Sequence, residues 1–163
     1  MDGRKRVLLA GLAAARHGTM EALAAVAARP HVTLLVRPGE GMEPADLLAH
    51  PQVAVADDAQ RRHLRGVDLV LAPAWCETYL AEVTTAAAVG VPVVATQRAA
   101  GWLTPVPDSA SESALGLAPG DSQALGVAMD RALAAPGPPD LSPRVHDAHD
   151  RLVATLRAVL AGS

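Results

Sequence analysis

Short runs of valine and leucine alternate with longer alanine-rich segments along most of the chain. Continuous apolar runs are typical of parallel strands, because such strands are covered on both faces and have no solvent-facing side. The alanine-rich segments are long enough for helices that cross back over a sheet. The sequence therefore predicts an α/β fold with one doubly wound, Rossmann-like parallel sheet. The predicted strands are Val7–Gly11, Val32–Val36, Val53–Val55, Asp68–Ala72 and Val91–Ala95, with a weaker one at Ala114–Leu117.

The alanine-rich segments between the strands carry helix start and stop signals. The first predicted helix spans about Met20–Ala28, with Thr19 as its N-cap. Short helical connections are expected in PADLLAH and AQRRHLR. A further helix is predicted over Tyr79–Val89 and ends at Gly90.

The last part of the chain is predicted to contain two helices separated by a stiff linker. Asp121 is expected to cap the helix in SQALGVAMDRALAA, in which Leu125 and Met129 lie on one face. The proline-rich linker covers residues 136–140 and precedes a last helix at about 143–160. We interpret residues 1–163 as a single domain, since this length suits one hydrophobic core.

Composition disfavours several classes of function. The net charge is −3 and the chain has no Phe, two Trp and one Tyr, so it lacks the basic field and the stacking surfaces of most nucleic-acid-binding proteins. Cys76 is the only cysteine, which rules out an internal disulfide and a cysteine-rich zinc site. No apolar run reaches the ~18 residues of a membrane span. We therefore expect a cytoplasmic protein that binds neither nucleic acid nor a metal.

Three loops should meet at one edge of the predicted sheet. They are GLAAARHGT (11–19), PAWCET (73–78) and TQRAAGW (96–102), and together we call them the carboxyl rim. Ligands of open parallel sheets bind beyond the carboxyl ends of the strands, where helix N-termini attract anions. The carboxyl rim would gather His17, Glu77, Gln97 and Arg98. Alternatively, these are ordinary polar loop residues, and Glu77 serves only to stabilise the N-terminus of the following helix.

The order of segments resembles the C-terminal, donor-binding half of group 1 (family 4) glycosyltransferases of the GT-B fold. The segments that carry the resemblance are RVLLAGLAAARHGTMEAL, DLVLAPAWCETYL, TAAAVGVPVVAT and GLAPGDSQALGVAMDRAL. The family's corresponding segments include DVFVLPSxxEGFG, EAMAAGVPVVAT and GLLVPPGDxxALAxAL. These segments occur in the family's order over nearly the whole chain. The resemblance implies transfer of a hexose from a nucleoside diphosphate sugar, with no bound metal or other cofactor.

The resemblance also implies which positions would hold the donor. The family's diphosphate-binding Arg is replaced by Leu12, and its Lys falls on His17, which is followed by the expected Gly18. Glu77 keeps the place of the first donor-binding glutamate, and Thr85 replaces the second, eight positions later. The candidate donor-binding residues are therefore His17, Gly18, Glu77, Thr85 and Gln97. The sequence indicates no catalytic residue.

These replacements limit the expected function. We expect the donor-binding half of a hexosyl-transferring enzyme that is not catalytic alone and that needs an N-terminal GT-B half, or a second copy docked through the cleft face. Nucleoside diphosphates should bind weakly, and more tightly at acidic pH if His17 contacts the phosphates. The alternative is a degenerate nucleotide-binding or protein-interaction module without transferase activity.

Overall fold

The computed structural model describes residues 3–39, 44–76, 81–100 and 115–134, and these contain one sheet of six strands. The strands are β1 (Lys5–Leu9), β2 (Val32–Val36), β3 (Val53–Val55), β4 (Leu69–Ala72), β5 (Val93–Thr96) and β6 (Leu115–Leu117). The helices are α1 (Thr19–Ala27), α2 (Pro44–Leu48), α3 (Asp58–His63), α4 (Ala81–Val89), α5 (Gln97–Ala100) and α6 (Ser122–Ala134). Their order along the chain is the predicted alternation of strands and helices.

The strand order across the sheet is β3-β2-β1-β4-β5-β6, and every neighbouring pair is parallel. The predicted α/β class with a Rossmann-like parallel sheet is confirmed. The order reverses between β1 and β4, because the chain first builds outward from β1 to β3 and then returns to the other side of β1. This reversal point is where open α/β sheets leave a crevice between successive helices.

The sheet is covered on both faces, and each face has its own apolar core. Residues of α1 and α6, including Ala22, Val26 and Met129, pack on one face. Val83 and Ala86 of α4 pack on the other face. Strand side chains alternate between the two cores, so that fully buried strands read as continuous apolar runs. Alanine on the helices lets their backbones lie close to the sheet, which suits a chain that has no phenylalanine.

The sequence placed β2 and β3 well and the ends of β1 and β5 less well. β2 and β3 have the predicted bounds, whereas β1 begins two residues earlier than predicted and ends at Leu9. β5 begins at Val93 rather than Val91, because the Val91 N–H donates to the Ala86 carbonyl and so closes the end of α4. The predicted linker at 136–140, the helix at 143–160 and the start of the Tyr79–Val89 helix lie outside the described residues.

The prediction that Thr19 is the N-cap of α1 was wrong. Gly18 is the N-cap and adopts a left-handed conformation with φ 73°. Thr19 is instead the first helical residue, and its hydroxyl donates to the Ala14 carbonyl at 3.0 Å and accepts from the Ala14 N–H at 2.9 Å. The hydroxyl therefore stabilises the preceding turn rather than the free N–H groups of its own helix.

The prediction for α6 is supported at its start and along its buried face. The Asp121 carboxylate accepts from the Ala124 N–H at 2.8 Å. Leu125 and Met129 are buried against the sheet. On the same helix Asp130 forms a bidentate ion pair with Arg29, which follows α1, with both N–O distances at 2.7 Å. This ion pair ties α6 to the end of α1.

We expect Asp130→Asn to weaken folding slightly near neutral pH, with the effect disappearing in acid. The Arg29 guanidinium hydrogen-bonds Asp130 and holds the pKa of that carboxyl below its ordinary 3.8. The contribution of the pair is thus complete above that value and is lost as the pH falls through the lower folded-state pKa. Because Asp130 is half-exposed, the loss should be about 0.2–1 kcal/mol. Urea unfolding of both proteins across pH measures it, and equal stability at neutral pH would contradict the prediction.

Candidate functional site

The carboxyl rim exists as a set of neighbouring loops, because β1, β4 and β5 are adjacent in the sheet. The backbone N–H of Trp75 donates to the Arg16 carbonyl at 3.0 Å, which joins the loop after β4 to the loop after β1. The Thr96 hydroxyl donates to the Ala74 carbonyl at 2.7 Å, which joins the end of β5 to the loop after β4. The three predicted loops are therefore brought together and held by hydrogen bonds.

A fourth segment, at the end of β2, also contacts the carboxyl rim. The Ala13 N–H donates to the Arg37 carbonyl at 2.7 Å, and Ala13 pairs with Pro38 in a single parallel bridge. Gly39 follows and lies so close to Leu12 that a Cβ on it would come within 2.8 Å of the Leu12 Cβ. Residues 37–39 thus lie directly against the loop after β1.

His17 lies in a short 3-10 turn, Ala15–His17, and its side chain is buried. Its Nδ1 is 2.8 Å from the Leu12 carbonyl oxygen, so Nδ1 must carry a proton and donate it. Only Nε2 remains available for another partner. A neutral ring presents Nε2 as an acceptor, which repels a phosphate, whereas a protonated ring presents it as a donor. His17 could therefore hold a phosphate only in its charged form.

Gly18 connects this turn to α1, and its backbone lies very close to the loop after β4. Its φ of 73° is one that residues with a Cβ rarely adopt. A Cβ at this position would also overlap the carbonyl oxygen of Pro73, in the loop after β4. The glycine is thus required by backbone conformation and by the close approach of the two loops. That requirement holds whether or not a ligand binds.

The remaining predicted residues occupy different surroundings. Thr85 is on α4, and its hydroxyl donates to the Ala81 carbonyl at 2.9 Å within the same helix. Gln97 begins α5 and is exposed, as is Arg98. Glu77 lies outside the described residues. Among the site residues that the structure describes, His17 and Gly18 are directly adjacent to the loop after β4. Thr85 instead lies within α4, outside the loops of the carboxyl rim.

Sequence reasoning assigned no role to Trp75, which also lies in the carboxyl rim. Its indole N–H donates to the Glu21 carboxylate at 3.0 Å, and half of the residue is exposed. A Cβ on Gly120 would come within 2.8 Å of the indole ring, so the loop between β6 and α6 also reaches it. The one available signal was the rarity of aromatic residues in this chain. A bulky ring kept half-exposed in such a chain is notable, because aromatic side chains are usually buried.

Two ion pairs elsewhere in the described residues compensate charge within the fold. A hydrogen bond from Arg61 is the main cause of the lowered pKa of Asp58, and this contact lies within α3. Lys5 pairs with Asp68 at 3.3 Å, at the amino end of β1. None of the helices in the part of the chain that the structure describes is long and apolar enough to cross a membrane.

A scan against protein-family models found no match, and a search of the curated proteins also found none. Solved structures do match. Sucrose-phosphate synthase from Thermosynechococcus elongatus aligns with the whole chain at 22% identity and a TM-score of 0.71, and the alignment covers 47% of that protein. The chain therefore spans less than half of that structure's length.

Two further neighbours are of similar size to this chain. The C-terminal domain of a group 1 glycosyl transferase from Francisella tularensis matches 82% of the chain and 77% of its own length, at 20% identity and a TM-score of 0.60. The catalytic domain of cholesterol-alpha-glucosyltransferase from Helicobacter pylori matches 79% of the chain and 86% of its own length, at 18% identity and a TM-score of 0.63. The fold accordingly matches a Rossmann-like half of a GT-B fold.

Proposed function

We propose that this chain is the donor-binding half of a hexosyl-transferring GT-B enzyme and that it holds the nucleoside diphosphate part of the donor at the carboxyl rim. The observation that carries the proposal is the meeting of the β1, β4 and β5 loops at the reversal point of a sheet whose fold is shared with glycosyltransferases. Such a reversal point is where open α/β sheets bind nucleotides.

The chemistry of glycosyl transfer explains what the carboxyl rim has to do. The leaving nucleoside diphosphate gains negative charge as the bond to the sugar breaks, so that donors aimed at its oxygens stabilise the transition state. The N-terminus of α1 and a protonated His17 would supply such donors here. Glu77 and Gln97 would contact the sugar and ribose hydroxyls, where a carboxylate is a strong hydrogen-bond acceptor.

Donor binding by this chain alone should be weak. Leu12 stands where the resemblance implies an arginine, and Thr85 stands where it implies a glutamate. Each charged hydrogen bond contributes about 1.5–3 kcal/mol, so losing two of them moves a micromolar site toward the millimolar range. A complete reaction would also require an acceptor site on a second domain, supplied by another GT-B half or by a second copy of the chain.

An NMR titration with UDP, GDP and ADP tests the proposal. We expect shifts in the amide resonances of His17, Gly18 and Gln97 at millimolar ligand, with no shift at Val127, an exposed residue on α6 that serves as control. His17→Gln should weaken binding of all three nucleotides, because a glutamine amide cannot carry the positive charge that a phosphate attracts. Absence of shifts with all three nucleotides at acidic pH would contradict the proposal and favour an interaction module.

A further inference from the structure

Arg37 is a cation beside the carboxyl rim, and the proposed donor site does not use it. It directly follows β2, and its carbonyl accepts from the Ala13 N–H at 2.7 Å. The alternation of β2, continued by one residue beyond Val36, places Arg37 on the same face of the sheet as Leu35. Leu35 belongs to the core that packs against α4, the helix beside the loop after β4.

The Arg37 residue is half-buried, and one of its side-chain donors lies out of contact with solvent. Its Nε is buried and, among the residues that the structure describes, has no hydrogen-bond partner. No described carboxylate forms an ion pair with its guanidinium either. A buried, unpaired donor on a charged group costs free energy, and each such group in a folded protein calls for a specific explanation.

Arg61 shows that a buried Nε alone does not define a binding site. Its Nε is also without a hydrogen-bond partner among the described residues. However, the Arg61 guanidinium is paired with Asp58 in the preceding turn of α3, so its charge is compensated within the protein. Arg37 differs because no described carboxylate pairs with it and because its backbone lies against the loop after β1.

We infer that Arg37 supplies the guanidinium that the loop after β1 lacks and that it binds the diphosphate of the donor. The resemblance implies an arginine at position 12, where this chain has Leu12, and residues 37–39 pack directly on Leu12 and Ala13. A guanidinium presents several N–H groups in a plane and can bind two phosphate oxygens at once. This inference rests on the proposed function, since it places the diphosphate at the same rim.

Inorganic pyrophosphate is the probe for the test, because it carries the diphosphate without base or sugar. Its affinity is measured by NMR titration of wild type and of Arg37→Met, Arg37→Lys, Arg16→Met and Arg61→Met. Arg16 is the exposed cation in the loop after β1, and Arg61 is the matched control with the same buried Nε. Thermal unfolding confirms that each variant is folded.

We expect Arg37→Met to weaken pyrophosphate binding about ten- to hundredfold and Arg61→Met to leave it unchanged. Arg37→Lys should retain part of the affinity, because lysine keeps the charge without the bidentate geometry. In wild type, the Nε–H resonance of Arg37 should shift on titration while that of Arg61 stays in place. This readout does not depend on any variant being stable.

The outcomes separate this inference from the proposed function. If wild type binds pyrophosphate and Arg37→Met binds it equally well, the assignment of Arg37 is wrong while the donor site stands. A loss in Arg16→Met without a loss in Arg37→Met overturns the assignment in the same way. If wild type binds neither pyrophosphate nor any nucleoside diphosphate, both the inference and the proposed function are wrong.

Discussion

Gly18→Ala should destabilise the protein by about 2–5 kcal/mol. A left-handed backbone costs a residue with a Cβ about 1–2 kcal/mol, and Gly18 has a φ of 73°. Forcing an extra methyl group into a packed contact adds about 1–3 kcal/mol. The contact here is with the backbone of Pro73, which cannot rotate away as a long side chain would. Denaturant unfolding of both proteins measures the difference.

Gly66→Ala is the matched control for this prediction. Gly66 has nearly the same φ, 69°, but a Cβ there would meet only the end of the Arg6 side chain at 3.5 Å. Gly66→Ala should therefore cost only the free energy of placing a residue with a Cβ in a left-handed conformation, about 1–2 kcal/mol. If the two variants lose equal stability, the overlap with Pro73 contributes nothing, and the carboxyl rim is looser than the structure indicates.

Gln52→Glu is expected to have an effect of similar size, about 3–5 kcal/mol near neutral pH. Gln52 is buried, and its side-chain nitrogen lies 3.0 Å from the Val26 carbonyl oxygen, 2.6 Å from that of Arg29 and 3.1 Å from that of Val32. The substitution replaces the donor with a carboxylate oxygen that faces acceptors. Burial and the carbonyl dipoles would raise the pKa of the introduced carboxyl above its unfolded value.

The pH dependence of stability distinguishes the cost of a buried charge at position 52 from the cost of the lost hydrogen bonds. A raised pKa means that the folded state holds the proton more tightly, so the deficit of Gln52→Glu should shrink as the pH falls and grow as it rises. Gln52→Met, the control, removes the donor without adding charge and should cost about 1–3 kcal/mol at every pH. Urea unfolding across pH measures both variants, and a pH-independent deficit in Gln52→Glu would contradict the account.

The candidate site was only partly predictable from the sequence. Gly18 was identified through the resemblance, and the structure supplies a local reason for it in the positive φ and the Pro73 contact. The sequence predicted His17 as a donor-binding residue or, alternatively, an ordinary polar loop residue, but it did not predict that the side chain is buried with Nδ1 bound to the Leu12 carbonyl. Whether a side chain in a loop faces solvent or its own backbone depends on the path of the loop, and apolar patterning carries no information about that path.

Arg37 illustrates the same limit. In the sequence it follows an apolar run and precedes a proline, as an ordinary residue at the end of a strand would. Its closeness to Leu12 and Ala13 arises because β1 and β2 pair in parallel, which brings the ends of both strands to one edge. Trp75, Glu21 and Gly120 also meet only through the sheet order, since they come from the loop after β4, from α1 and from the loop between β6 and α6.

The sequence by itself determined the α/β class, the alternation of strands and helices, and the bounds of β2 and β3. These features follow from local patterns, because a strand covered on both faces must be apolar at every position. The tertiary structure alone decided the order of the strands, the burial of His17, the three carbonyls around Gln52 and the position of Arg37. Each of these depends on contacts between distant residues, whose geometry exists only once the sheet has formed.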